Sequence, residues 1–158
     1  MAIPASIERF VRDNGVSFTA IHHRVAFTAQ EEAAATHVPG REWAKTVVCF
    51  ADGKPVLALL PAHYRLDFYA LRTLLGARDV RLAAEHEFSS LYPECETGAM
   101  APFGELYHQP VYVDESLTAD PYIVFNAGTH VDAMKMKLSD FVKLVRPIFG
   151  RIAIETTH

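Results

Sequence analysis

The sequence has little that would suit a secreted or membrane-spanning protein. Its two cysteines, Cys49 and Cys95, lie far apart and form no CxxC pair, which favours a reducing compartment and a role as small apolar fillers. No segment stays apolar for roughly 18 residues, and the N-terminal stretch MAIPASIERFVRDNG has no signal-peptide core. We therefore expect a cytoplasmic protein.

An excess of positive charge is also missing. The formal net charge is −4 and the sequence pI is about 6.0. Proteins that coat nucleic acid need many Lys and Arg contacts to phosphates. The composition argues against such binding, but it is compatible with a few local contacts to one end of a nucleic acid.

The common catalytic signatures are absent as well. The chain has no HExxH, no Cys/His cluster, no GxSxG elbow, no Walker pattern and no GxGxxG. The neighbouring His22 and His23 would point to opposite faces of a strand. We therefore predict no metal, no cofactor and no covalent nucleophile.

The residues that are present predict one globular domain over residues 1–158. Half of the chain is hydrophobic and 22% is charged, which is a soluble and ordered composition. WAKTVVCF and PVLALLP are typical of two strands joined by a tight turn at Asp52 and Gly53. Further strand-like segments alternate irregularly with helical ones, so we predict a mixed-sheet α/β or α+β fold.

Several helix boundaries follow from capping residues. Pro4 suits the first turn of an N-terminal helix. TAQE, residues 28–31, is a capping box that opens an alanine-rich helix. Asp67 is expected to cap a helix that Gly76 ends, and Ser139 is expected to cap the last helix.

Three segments are candidates for a functional site. Lys45 stands at the start of the apolar run Val47–Phe50, so it either faces solvent by ordinary alternation or lies near something anionic. The loop GAMAPFG, residues 98–104, is either a plain connection or a backbone bend whose amides accept an anion. In FNAGTH, residues 125–130, the polar residues can be simple turn formers or part of a site.

These segments, with others, resemble a known family in sequence and in order: FTAQEEAAA, WAKTVV with LALLP, LYPECETGAMAPFG and IVFNAGTH. Over about residues 5 to 146 the chain is similar to the YbaK / prolyl-tRNA synthetase-associated editing domain family. Lys45 matches the strand lysine of that family, Gly98 to Pro102 match its Gly-x-x-x-Pro loop, and His130 matches a histidine found in several members. The C-terminal segment RPIFGRIAIETTH departs from the best-known members.

The resemblance implies a fold and a reaction. The fold would be a single domain with a mixed, partly barrel-like sheet flanked by short helices. The reaction would be hydrolysis of the ester in mischarged aminoacyl-tRNA by a free-standing trans-editing protein. An aminoacyl ester is already activated and carries a vicinal ribose hydroxyl, so the enzyme needs orientation and oxyanion stabilisation but no nucleophile of its own.

The resemblance also implies roles for particular residues. Lys45 would hold the terminal nucleotide or the ester, and backbone amides of the loop would position the ribose hydroxyl or the oxyanion. The expected catalytic residues are Lys45, Gly98, Ala99 and Met100. The expected substrate-binding residues are Phe27, Thr28, Val47, Pro102, Asn126, Gly128 and His130.

The identity of the substrate stays open at the level of sequence. Alanyl, seryl, threonyl and cysteinyl esters all fit, and the expected partner is the acceptor end of a mischarged tRNA, with an aminoacyl-tRNA synthetase as an optional second partner. The main alternative is a non-catalytic module of the same fold that binds a tRNA end or a synthetase. A third alternative, an unrelated small-molecule hydrolase, lacks a nucleophile or metal in the sequence.

Overall fold

The helices in the part of the chain that the structure describes are short. The computed structural model describes residues 3–24 and 42–156, and the capping box at residues 28–31 lies outside these ranges. The α-helices within them are α1 (Ala5–Asp13), α2 (Phe68–Leu75), α3 (Glu85–Leu91) and α4 (Leu138–Val145). Two 3₁₀ helices span Gly104–Tyr107 and Glu115–Ala119. No helix in the described ranges is long and apolar enough to cross a bilayer.

Ten strands in the described ranges form three open sheets. They are β1 (Thr19–His22), β2 (Ala44–Ala51), β3 (Lys54–Pro61), β4 (Tyr64–Leu66), β5 (Val80–Leu82), β6 (Val111–Asp114), β7 (Tyr122–Thr129), β8 (Asp132–Lys137), β9 (Ile148–Gly150) and β10 (Ala153–Glu155). The sheet orders are β5-β2-β3-β6-β9, β1-β8-β7 and β10-β4. β3 and β9 each pair with β6 in parallel and the other pairs are antiparallel, which confirms the mixed α/β class.

The hairpin of β2 and β3 carries Lys45 on its first strand. Asp52 and Gly53 both have positive φ, 50° and 82°, as a two-residue hairpin turn requires. The Asp52 carboxylate also accepts the backbone amides of Arg78 and Asp79 at 2.9–3.2 Å. This anchor fixes the turn, and with it the register in which Lys45 lies opposite Leu60.

The two larger sheets meet at the start of β2. Trp43 forms an isolated parallel bridge with Val124 of β7, and the Val124 amide donates to the Glu42 carbonyl at 3.0 Å. Trp43 and Val124 are both fully buried. Because the bridge is parallel, the chain after Trp43 and the chain after Val124 run in the same direction, which brings Lys45 and Asn126 to the same end of the molecule.

One large cluster of buried apolar side chains fills the space between the sheets and helices. It includes residues from α1, β2, β3, β7 and β8, and also the loop side chains Met100 and Phe103. The Phe103 ring packs edge-on against Phe125 at a centroid distance of 5.4 Å. The glycine-rich loop is therefore anchored in the core by its second half.

Two predicted helix ends differ in their outcome. The Asp67 side chain accepts the Ala70 amide at 3.1 Å, and Gly76 forms a left-handed C-cap, as predicted. The prediction for Ser139 was wrong, because α4 begins at Leu138 and its N-cap is Lys137. The Leu138 amide is already bonded to the Pro121 carbonyl at 2.8 Å, and this tertiary bond starts the helix before Ser139.

The C-terminal segment that departs from the family forms β9 and β10. β9 adds to the edge of the five-stranded sheet beside β6, and β10 pairs with β4. The buried Asp114 carboxylate accepts the amides of Ile152 and Ala153 at 2.9 and 3.0 Å. Residues 148–155 of this segment are thus part of the folded structure.

Candidate active site

Lys45 is the second residue of β2 and is half-buried. Burial lowers the pKa of its ammonium group below the usual 10.5, because desolvation disfavours the charged form. Within residues 3–24 and 42–156, no carboxylate forms an ion pair with it. A half-buried ammonium without a protein counter-charge in these ranges is suited to an anionic ligand.

A cavity of about 250 Å³ lies against β2, and its wall begins at Thr46, the residue after Lys45. Val47 lines it, and by strand alternation Lys45 shares the face of Val47, which packs against the cluster of Cys49 and Leu71, while Thr46 and Val48 lie on the opposite face of β2. The other walls come from β2, β5, α3 and the glycine-rich loop: Thr46, Val48, Leu82, Ala83, Ala84, Glu85, Phe88, Thr97 and Gly98. The structure therefore brings the predicted residues Val47 and Gly98 into one cavity. Lys45 directly precedes the first wall residue, Thr46, in the sequence.

The loop at residues 96–104 turns at Gly98. Gly98 has a φ of +84° and is exposed, a conformation that a side chain would strain. Ala99, Met100 and Pro102 are buried behind it. The bend thus turns a glycine towards the cavity, while the next residues anchor the loop in the core.

The amides of the loop differ in their availability. The Ala99 amide donates to the Glu96 carbonyl at 3.0 Å and closes the turn, so it is not free to stabilise an oxyanion as the sequence had suggested. Within the described residues, the amides of Gly98 and Met100 have no bonded acceptor. Two of the three amides expected at this bend therefore have no acceptor in the part of the chain that the structure describes.

The bend is attached to the end of β7. The Gly128 amide donates to the Ala99 carbonyl at 2.7 Å, and the Glu96 amide donates to the Gly128 carbonyl at 2.8 Å. Gly128 lies in an irregularity of β7 between Asn126 and Thr129. Asn126 and Gly128 therefore belong to a strand and not to a turn, and the turn of the hairpin lies after Thr129.

Gly128 is required for two structural reasons. Its φ is +101°, and a Cβ at this position would lie 2.5 Å from Cδ of Pro4. Close packing of the α1 start on β7 therefore excludes any side chain here. The structure gives Gly128 a supporting place under the loop, while the half-buried Asn126 stands two residues earlier in the strand.

His130 adjoins the bend. Its ring Nε2 lies 2.8 Å from the Thr97 carbonyl oxygen, and its Cε1 would be 3.8 Å from a Cβ placed on Gly98. The His130 amide donates to the Glu96 carboxylate at 2.7 Å. The structure therefore brings together Gly98 and His130, which are 32 positions apart in the sequence.

The two cysteines are unsuited to nucleophilic attack. Burial raises the pKa of the Cys49 thiol to about 12 and that of the Cys95 thiol to about 11. Since the thiolate is the nucleophile, both thiols are inert near neutral pH.

Two groups of residues complete the comparison with the sequence-based prediction. Phe27 and Thr28 lie outside the described residues, so their placement stays a prediction. Sequence reasoning missed Glu96, Thr97 and the wall residues Leu82 and Phe88. Glu96 and Thr97 directly precede the Gly-x-x-x-Pro loop, which was the signal available for them; the wall residues gave no local signal.

Solved structures with the same fold support the architecture. A hypothetical protein, APE2540, superposes with a TM-score of 0.84 at 19% identity, covering 94% of this chain and 99% of that one. A structure described as a candidate trans-editing enzyme for prolyl tRNA synthetase also gives 0.84, at 21% identity, covering 97% and 99%. The fold is thus that of the YbaK-like editing proteins.

Sequence comparison defines the family. The aminoacyl-tRNA editing domain family matches residues 23–144, and this chain belongs to it. A multifunctional Ser/Thr-tRNA deacylase, ProXp-y, of Escherichia coli K12 is 26% identical over 144 residues, 84% of this chain and 82% of that protein. A proline–tRNA ligase of Nitratidesulfovibrio vulgaris Hildenborough is 32% identical over 95 residues, 60% of this chain, which spans only 16% of the ligase.

Proposed function

We propose that the protein is a trans-editing deacylase that hydrolyses the ester of mischarged aminoacyl-tRNA. The observation that carries the proposal is the half-buried Lys45 at the start of the strand whose next residues line one cavity together with Gly98. A cation on β2 and loop amides without a bonded acceptor in the described residues suit an ester joined to a polyanion. The family and the related Ser/Thr-tRNA deacylase support the same reaction.

The reaction needs no covalent intermediate with the protein. Water attacks the carbonyl carbon, the bond from that carbon to the ribose oxygen breaks, and the ribose oxygen leaves with a proton from the water. The vicinal ribose hydroxyl orients the water by hydrogen bonding. The protonated state of Cys49 and Cys95 at neutral pH agrees with a substrate-assisted route.

The chain contributes orientation and charge. Lys45 binds the phosphate of the terminal nucleotide or the ester oxygen, and the amides of Gly98 and Met100 donate to the oxyanion. Losing one preorganised oxyanion donor typically costs about 10²-fold or more in rate. His130, beside the bend, and Asn126, on the same strand as the loop anchor, bind the aminoacyl group or the ribose.

Selection comes from the cavity walls. Val47, Leu82 and Phe88 make one side of the cavity apolar, so a small side chain is accepted and a larger one is excluded. An apolar pocket separates two substrates that differ by one methylene by only about 1–3 kcal/mol. The substrates proposed are alanyl, seryl, threonyl and cysteinyl esters, with the acceptor end of the tRNA as the bound element.

A deacylation panel tests the proposal. Purified alanyl-, seryl-, threonyl- and cysteinyl-tRNA are incubated with the protein in single turnover, with prolyl-tRNA as the cognate control. We expect release of the amino acid from at least one of the four and not from prolyl-tRNA. Binding without release from any of them would favour a non-catalytic tRNA-binding module.

A further inference from the structure

The side chain of Glu96 lies at the junction between the glycine-rich loop and the hairpin of β7 and β8. Its carboxylate Oε1 accepts the His130 amide at 2.7 Å, and its own amide donates to the Gly128 carbonyl at 2.8 Å. One residue of the loop thus contacts both sides of the hairpin end.

Three further hydrogen bonds complete a closed network, which we call the Glu96 clamp. The Ala99 amide donates to the Glu96 carbonyl at 3.0 Å and the Gly128 amide donates to the Ala99 carbonyl at 2.7 Å. The His130 ring contacts the Thr97 carbonyl at 2.8 Å. The network encloses the Gly98 bend on both sides, so the direction of the Gly98 amide depends on it.

The clamp also determines which nitrogen of the His130 ring donates a hydrogen bond. A carbonyl oxygen only accepts, so the hydrogen in this contact is carried by Nε2. The backbone from which this ring extends is held by the Glu96 carboxylate.

We propose that Glu96 is a positioning residue that holds the Gly98 bend and the His130 ring in register for ester hydrolysis. The proposal rests on the deacylase function above and adds a residue that neither the family motif nor the sequence singled out. Glu96 acts through geometry, since its acceptor oxygen is what the His130 amide needs. Its negative charge is not required.

Three variants test the role in single-turnover deacylation. Glu96→Ala removes the acceptor, and we expect the rate at saturation to fall about 10²-fold, as a displacement near 1 Å can cause, with little change in the half-saturating concentration. Glu96→Gln keeps an acceptor oxygen and should retain most of the rate. Glu94→Ala removes a carboxylate of the same loop that is bonded to the Tyr107 hydroxyl at 2.6 Å and serves as the matched control.

A second readout separates this inference from the deacylase function. The ¹⁵N resonances of the His130 ring report which nitrogen carries the hydrogen, and they need no substrate. We expect the Nε2–H form in the wild type, Glu96→Gln and Glu94→Ala, and a mixture in Glu96→Ala. An unchanged ring in Glu96→Ala, a wild-type rate for it, or a loss in Glu96→Gln as large as in Glu96→Ala would overturn the proposal. Failure of the wild type on every ester with the expected ring states would instead reject only the deacylase function.

Discussion

At the scale of single residues, Lys45 places a charge at the start of an apolar strand. The side chain is half-buried and its pKa is lowered by desolvation, so its position costs stability. Since Lys45 has no carboxylate partner within the described residues, we propose that it binds a ligand.

A substitution at Lys45 should therefore separate activity from stability. We expect Lys45→Met to lower the single-turnover deacylation rate by about 10²-fold, while the thermal midpoint stays equal or rises because a partly desolvated charge is removed. Lys45→Arg keeps the positive charge and is therefore the control for the loss of charge in Lys45→Met. A wild-type rate in a folded Lys45→Met protein would contradict the proposed role.

Lys45 also makes the free energy of unfolding depend on pH, in a direction that its lowered pKa determines. Because folding lowers its pKa, the folded state favours the neutral amine, and the wild type gains stability as the pH rises through the lowered value towards 10.5. The stability advantage of Lys45→Met should therefore shrink in that range. Thermal unfolding of both proteins across the alkaline range measures it, and an advantage that grows with pH would show the wrong sign.

Residues whose role depends on their near neighbours in the chain could be predicted from the sequence. The strand lysine and the Gly-x-x-x-Pro loop were found because their neighbours form a pattern. Glu96 was not, because its partner His130 lies 34 positions away and nothing in PECETG distinguishes it from the nearby Glu94. The occupied Ala99 amide was missed for a related reason, since a turn bond depends on the backbone path.

At the scale of secondary-structure elements, the contact between α1 and β7 supports the site from below. Pro4, at the N-cap of α1, packs against Gly128, whose amide and carbonyl both bond to the loop. The helix start, the strand irregularity and the loop are thus stacked.

Gly128→Ala should test this stack. Positive φ costs an alanine about 1–2 kcal/mol, and overlap with Pro4 adds about 1–3 kcal/mol. Gly53→Ala is the control, because Gly53 has a φ of +82° and a Cβ added there would meet no atom within 4 Å. Chemical unfolding should show a larger loss for Gly128→Ala, and Pro4→Ala should recover part of the difference. Equal losses for the two alanines would argue against the close packing.

Element boundaries were predictable where they depend on local chemistry. The Asp52–Gly53 turn and the Asp67 cap follow from side chains that bond to or permit their own backbone. The three-residue strands β4, β9 and β10 were not predicted, because such short strands exist only through pairing with distant partners. The misplaced Ser139 cap has the same origin in the bond from Leu138 to Pro121.

At the scale of the whole molecule, charge limits how much of a tRNA can be bound. The net charge is −4, and Lys135 lies over the exposed Tyr122 ring at 4.8 Å. A negatively charged protein that acts on tRNA is expected to contact the acceptor end and few phosphates elsewhere.

The salt dependence of binding should therefore be shallow. Each neutralised phosphate on a single strand contributes about −0.7 to the slope of log affinity against log salt concentration, so two or three contacts predict a slope near −2 or shallower. Binding of tRNA to Lys45→Arg and to the wild type between about 50 and 200 mM salt measures it. A slope of about −5 or steeper would require an extended basic surface.

The cavity has two kinds of wall, and they depend on different parts of the chain. The bend at Gly98 is fixed by the end of the β7–β8 hairpin, whereas Leu82 and Phe88 come from β5 and α3. In the proposed deacylase, mutations that resize the apolar wall would leave the bend at Gly98 undisturbed. Proteins descended from one ancestor could then hydrolyse the ester of a different amino acid after a few substitutions in the wall, without a change at the Gly98 bend.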